Sequence, residues 1–246
     1  MTDPASTARP PSSGPKPKPS AGLRPRDAAT LIVLDRRARA PKVLMGRRNA
    51  GLAFMPGKFV FPGGRIEPGD KRMPVAGALP DYAEAALTRQ VTRPPHHLGR
   101  ALALAAIRET FEETGLLVGT REYGPPEDVP AGWEAFATHG VLPDLEALHF
   151  VARAITPPKR VRRFDTRFFT VDRRAVAAEE PGRISDTSEF TELAWFTFAA
   201  ARKLDLPTIT GMILDELEAQ VAVDFAPYRQ IPFHAERHGR RERTVL

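Results

Sequence analysis

The sequence predicts an α/β fold, and three observations carry that expectation. Three short runs rich in β-branched and aromatic residues, Thr30–Leu34, Lys42–Met45 and Lys58–Phe61, follow one another early in the chain. A stretch with helical spacing comes next and ends in Arg108-Glu109-Thr110-Phe111-Glu112-Glu113-Thr114-Gly115. Strand-like runs then recur at Asp165–Val171 and Glu189–Phe196, before another helical pattern over Leu206–Val221. With 246 residues and 42% apolar content, the chain can build one sizeable core, with room for an insertion or a small subdomain.

Taken in order, residues 1–26 hold seven prolines with several serines and lysines and read as a disordered arm. Thr30-Leu31-Ile32-Val33-Leu34 reads as a buried strand, Arg36 to Pro41 as a polar turn, and Lys42-Val43-Leu44-Met45 as the partner strand of a hairpin. Arg47, Arg48 and Asn49 stand at its end, where basic side chains meet a phosphate or simply face water. Phe59 and Phe61 alternate with Lys58 and Val60 as a strand does, and Pro62-Gly63-Gly64 then forces a turn poor in side chains. Such a turn lets backbone groups approach a ligand closely.

Residues 71–100 contain Pro80–Leu87, which reads as a short helix, and the loop Arg93–His97. His96 and His97 do not make a metal site on their own, because adjacent side chains point apart and no third ligand is suitably spaced. Residues 131–149 read as two short helices around Trp133, Phe136, Leu145 and Leu148. Arg163 and Arg167 face a substrate phosphate or lie at a sheet edge. Trp195 and Phe196 read as core, and residues 234–246 as a basic tail that is mobile or lies on the surface.

The net charge of +6 is concentrated at the ends. Arg9, Lys16, Lys18, Arg24 and Arg26 face only Asp3 in the arm, and Arg237, Arg240, Arg241 and Arg243 outnumber Glu236 and Glu242 in the tail. The body between them is neutral, which argues against a nucleic-acid surface. No apolar run is long enough to cross a bilayer, and no apolar signal segment begins the chain. The absence of cysteine excludes disulfides, thiolate zinc sites and a cysteine nucleophile, and fits a reducing, cytoplasmic setting.

The chemistry concentrates on the acidic helix. With residues three and four apart as neighbours, Glu109, Glu112 and Glu113 share one face, while Leu104, Ile107 and Phe111 form the opposite one. Gly115 supplies a left-handed stop. Arg108, four residues before Glu112, can orient that carboxylate. Converging carboxylates repel one another unless a cation lies among them, and an all-oxygen set suits a hard cation such as Mg²⁺. A solvated acidic face is the plain alternative.

The upstream spacing decides between the two. Gly64, five residues, Asp70, a spacer, and then Arg108-Glu109-x-x-Glu112-Glu113-x-Gly115 resembles the signature of the Nudix hydrolases, preceded here by Phe61-Pro62-Gly63-Gly64. Three features depart from it. Asp70 replaces a glutamate, Thr110 replaces an aliphatic residue, and about thirty residues are inserted in the spacer. The inserted spacer, Phe54-Met55-Pro56, Arg108-Glu109-Thr110-Phe111-Glu112-Glu113, and Ile155-Thr156-Pro157 with Arg163–Phe169 resemble the branch related to the animal coenzyme A diphosphatase, Nudix motif 19. The resemblance covers residues from about 28 to 200.

This resemblance implies an α/β/α sandwich with a mixed sheet and a helical insertion inside the signature. The domain spans 27–233, and its insertion, at about 71–100, lies in a position to cap the cleft. The resemblance also implies Mg²⁺ or Mn²⁺ held by Glu109, Glu112 and Glu113, with the Gly64 carbonyl completing the shell. Glu109 or an acid beyond the signature, Glu189 or Glu192, would take the proton from water, and Arg108 would position the acids. Arg47, Arg48, Arg163 and Arg167 are the candidate substrate-binding cations.

The activity implied is hydrolysis of a diphosphate linkage in a small-molecule nucleotide. Coenzyme A or an acyl-coenzyme A is the first candidate, giving 3′,5′-ADP and a phosphopantetheine. Leu44-Met45-Gly46-Arg47-Arg48 and Gly57-x-x-x-Phe61 fit an upstream motif of such enzymes, whereas Asn49 and Ala53 depart from it. ADP-ribose or NADH is the alternative substrate, and a non-catalytic nucleotide- or RNA-binding module is the alternative class. The chain is compatible with a homodimer, and no membrane partner is expected.

Overall fold

The computed structural model describes residues 23–227 and 229–246. The proline-rich arm lies outside the described residues as far as residue 22, and the chain enters its first strand, β1 (Arg26–Asp35), at the end of that arm. β1 pairs in parallel with β7 (Phe164–Asp172) along its whole length. On its other side, β1 is shared between β4 (Gly63–Arg65) and the start of β2 (Lys42–Arg48), both antiparallel to it. β2 also pairs with β3 (Phe59–Val60) and with β9 (Phe190–Thr197). Beyond β7 come β6 (His149–Ile155), β10 (Pro232–Arg237) and β11 (Arg240–Val245), which complete a nine-stranded mixed sheet. A separate two-stranded sheet joins β5 (Leu116–Val118) to β8 (Val176–Glu179).

The sheet lies between two helical layers, the α/β/α arrangement expected. Leu31 and Val33 point into a core shared with the long helix α2 (Leu98–Thr114). Ile32 and Leu34 point the other way, into a core shared with α5 (Thr208–Val221) and the short α4 (Phe198–Ala201). A strand covered on both faces needs apolar side chains at every position, which explains the uninterrupted run seen in the sequence.

α2 is buried nearly all round. Only Arg100, Glu109 and Glu112 escape burial among its residues. Its other face is covered by the inserted segment and by α3 (Glu134–Thr138), with Trp133, Phe136, Leu145 and Leu148 all buried in the same core. Small side chains at Ala101, Ala103, Ala105 and Ala106 let these layers approach the helix closely. The stretch 131–149, expected as two helices, contains the single α3 among turns, and His149 already begins the central strand β6.

Residues 71–100, expected as an insertion placed to cap the cleft, contribute to the core. Their helix α1 (Asp81–Thr88) buries Ala83, Ala86 and Leu87, and Met73 and Leu79 join them against α2. Arg100 donates to the Lys71 and Met73 carbonyls, and Arg153 donates to the Arg89 carbonyl. An added Cβ at Gly99 would strike the Glu84 carboxylate, so α1 packs at the first turn of α2. That end is about 15 Å from Glu109 at the helical rise per residue.

Residues 234–246, expected as a mobile or surface tail, instead form most of the β10–β11 hairpin, and β10 pairs in parallel with β6 at Phe233 and His234. The tail is basic because β11 is the exposed edge of the sheet, whereas Ile231, Phe233 and Leu246 are buried. Glu216 of α5 accepts from both Arg243 and His234, which fixes the hairpin to the layer beneath it. Truncation after Gln230 removes three large buried apolar side chains, worth roughly 5–9 kcal/mol at the usual transfer values. The expected result is an insoluble or cooperatively destabilised protein in denaturant melts. Loss of only a few tenths of that figure would mean that the hairpin lies loosely on the sheet.

Candidate active site

The site forms where β4 meets the last two turns of α2; Gly63 and Gly64, expected to form a turn, are instead strand residues paired with Thr30 and Ala29 of β1. Gly115 ends the helix in the left-handed conformation (φ 79°), with its N–H donating to the Phe111 carbonyl at 2.8 Å. The Gly63 N–H donates to Glu113 Oε2 at 3.0 Å. Glu109 lies directly on Gly64, where an added Cβ would stand 2.2 Å from the Glu109 carboxyl carbon. Only glycine lets the strand approach this close to a carboxylate.

Arg108 ties these pieces together. Its guanidinium is buried and donates to both oxygens of Asp70, at 2.9 and 3.2 Å. It also donates to Glu112 Oε2 at 3.0 Å and to the Arg65 carbonyl at 2.9 Å, and lies 3.0 Å from Glu109 Oε1. Asp70 is 0% exposed on a one-turn 3-10 helix (Gly69–Lys71), and also accepts from the Glu67 N–H. Asp70 therefore anchors the arginine, and the departure from glutamate leaves every acid on the helix in place. Burial works against the Arg108 charge, but the Asp70 hydrogen bonds and the charges of Glu109, Asp70 and Glu112 outweigh it and raise its pKa.

The acids differ in environment. Glu112 is open to solvent, its side chain 41% exposed, whereas Glu109 is 16% exposed and Glu113 is buried. Burial drives the Glu109 carboxyl up from 4.5 to about 7; Arg108 opposes the shift, and the charges of Glu112 and Glu189 add to it. Burial likewise pushes Glu113 well above the usual carboxylate range, reinforced by Glu189 and Glu109 and opposed by the Gly63 N–H and Arg48.

The remaining candidates divide by sheet face. β2 alternates, so Arg48 points to the α2 side, where it meets Glu189 at 2.5 Å beside the acids. Arg47 points to the α5 side. It lies 4.7 Å above the Phe59 ring and pairs with Glu192 at 2.9 Å. Arg48 and Glu189 thus join the helix acids, whereas Arg47 and Glu192 are on the opposite face. Arg167 is fully buried, paired with Asp27 at 2.6 Å and Asp165 at 3.2 Å. Arg163 donates to the carbonyls of Thr156 and Leu23, holding the segment before β1. Neither is brought to the acids, because both are used to join neighbouring strands.

Asn49 has a role that sequence reasoning missed. Its amide donates to the carbonyls of Asp186 and Ser188, its Oδ1 accepts from Gly51 N–H, and its own N–H donates to the Glu189 carbonyl. It fixes the loop that presents Glu189. A polar residue just past a strand end was the only signal available.

Four carboxylates and a glycine cradle, with burial raising the pKa of Glu109 and Glu113, form a donor set that fits a divalent cation. Among the described residues, no three acidic or histidine side chains already stand as a ready chelate. Two of the four acids are instead engaged with Arg108 and a third with Gly63 N–H.

This is the fold of the Nudix hydrolases. The chain resembles putative nudix hydrolase 7 of Caenorhabditis elegans, with 26% identity over 190 residues, 69% of this chain and 50% of that protein, so it spans about half of that relative's length. Among solved structures, a NUDIX hydrolase from Alicyclobacillus acidocaldarius superposes with a TM-score of 0.60 at 27% identity, over 83% of this chain and 97% of that one. No protein-family model matches.

Asp70→Ala leaves the buried Arg108 charge without its anchor, which should cost about 3–5 kcal/mol in urea denaturation. Asp70→Asn, which keeps one acceptor, should lose less. Equal stability of Asp70→Ala and the parent would show that Arg108 does not depend on this pair.

Proposed function

We propose that the chain is a metal-dependent Nudix-type diphosphatase that hydrolyses a diphosphate linkage in a nucleoside diphosphate derivative. The observation that carries this reading is the convergence of Glu109 and Glu113 on Gly63–Gly64, with Arg108 holding Glu109 and Glu112 beside them. The names of the similar proteins support it. A pure binding module gains nothing from clustered acids, which repel phosphate.

Glu109, Glu112 and Glu113, with the Gly64 carbonyl, are the groups that would hold Mg²⁺ or Mn²⁺. Such an ion, when bound, neutralises the diphosphate and makes water a better nucleophile. The water oxygen attacks one phosphorus, the bridging P–O bond breaks, and the proton passes to a carboxylate. Glu109, poised near neutrality, and Glu189, next to it on a fixed loop, are the two candidates for that proton. Arg108 keeps the helix acids in place, and Arg48, paired with Glu189 on the same sheet face, is the candidate cation for the phosphate.

Coenzyme A or an acyl-coenzyme A is the preferred substrate, on the sequence resemblance. ADP-ribose and NADH are the comparators. Incubation with each, with Mg²⁺ or Mn²⁺ and products identified by mass, decides among them. Glu112→Gln and Glu113→Gln should each lower turnover by about 100-fold or more with unchanged circular dichroism. Variants within about tenfold of the parent would count against the assignment.

The raised Glu109 pKa also sets a stability trend. In the metal-free protein, stability fully present below pH 4.5 is lost as pH rises through about 7, because the folded state holds the proton longer than the unfolded chain. Bound Mn²⁺ displaces that proton, so it should raise the melting temperature more at about pH 8 than at about pH 5. An equal or reversed Mn²⁺ effect would contradict a cation seated on these acids.

A further inference from the structure

A half-open cleft of about 440 Å³ lies between the β2–β9 face of the sheet, the C-terminal end of α2 and the small β5–β8 sheet. Sites for small molecules commonly span about 300–1,000 Å³. Leu44 and Trp195, partners in register across β2 and β9, form its floor with Leu193. Thr114, the residue after Glu113 on α2, lines it on the helix side. The cleft occupies the same sheet face as Arg48 and Glu189.

The cleft has an aromatic wall carrying a flat cation. The Arg173 guanidinium lies 4.8 Å from the centre of the Trp195 ring. Arg173 is held from behind by one long contact, 3.3 Å to Asp35, and its side chain is 40% exposed. Glu179 stands at the rim as an unpaired acceptor among the described contacts. Aromatic rings and guanidinium planes are the surfaces on which a planar heterocycle stacks without regard to its exact identity.

We propose that this cleft receives the nucleobase of the substrate, stacked against the Trp195–Arg173 pair while the diphosphate lies over the acids. The inference rests on the diphosphatase reading and names the part of the substrate that this face takes. It favours a flat base over a flexible aliphatic arm, because the wall offers a ring and a guanidinium, and because Glu179 can accept from an exocyclic amino group. All the candidate substrates carry adenine, so the assignment holds whichever diphosphate is cleaved.

The chain has two tryptophans, and the other, Trp133, is fully buried. Intrinsic fluorescence therefore reports on the cleft, and AMP is a suitable probe because it has no diphosphate to cleave. AMP should quench the parent saturably, ribose 5-phosphate and phosphopantetheine should not, and Trp195→Phe should abolish the signal. In the hydrolysis assay, Trp195→Ala should raise KM for the nucleotide about tenfold with kcat changed much less, and Trp195→Phe should recover most of that loss. Quenching by ribose 5-phosphate as strong as that by AMP, quenching by phosphopantetheine instead, or an unchanged KM in Trp195→Ala would overturn the base site. If AMP quenches Trp195 but no diphosphate is hydrolysed, the base site stands and the diphosphatase reading falls. If hydrolysis proceeds but AMP leaves the fluorescence unchanged, the base site alone falls.

Discussion

The buried guanidinium of Arg108 is the constraint on which the rest of the site depends. It reaches from α2 to the turn holding Asp70, to the backbone of β4 at Arg65, and to two of the helix acids. A charge placed there without partners would unfold the region, so its presence requires that helix, turn and strand meet in one geometry. That same geometry brings the two glycines of β4 against Glu109 and Glu113. The fold and the chemistry thus share one fastening.

The long insertion fits this economy. It enters between Asp70 and Arg108, the two halves of the fastening, without loosening them. Its helix α1 packs at the first turn of α2, and its apolar side chains share the core of that helix. The acids stay at the other end of the helix, and the cleft beside them is walled by β5 and β8 and not by the insertion.

Much of this was legible in the sequence, and the failures have a common physical cause. The helix acids and the left-handed stop at Gly115 follow from local spacing, because helix periodicity and backbone freedom are local properties, whereas Gly63 and Gly64, read as a turn, form a strand through their pairing with β1. Arg47 and Arg48 look alike in the sequence, as do Glu189 and Glu192. Only the alternation of paired strands sends one member of each pair to the acids and the other to the far face. Arg167 resembles a substrate cation until its partners are seen, Asp165 two residues back on its own strand and Asp27 on neighbouring β1. Trp195 reads as core, and packs partly buried against it while one side lines the cleft. The basic residues of 234–246 suggest a free tail, and the sheet pairing that recruits them is non-local.

That last strand bears on how copies of the molecule can meet. β11 leaves one side of its backbone open, the sort of border along which sheets of separate molecules fuse into larger ribbons. Arg240, Arg241 and Arg243 crowd this border, and their side chains are mostly in solvent. Two such borders laid side by side would set Arg240 and Arg241 against their counterparts, while Arg243 is already paired with Glu216. Like charge along this border disfavours pairing of two such edges, as charged side chains do on open sheet edges generally.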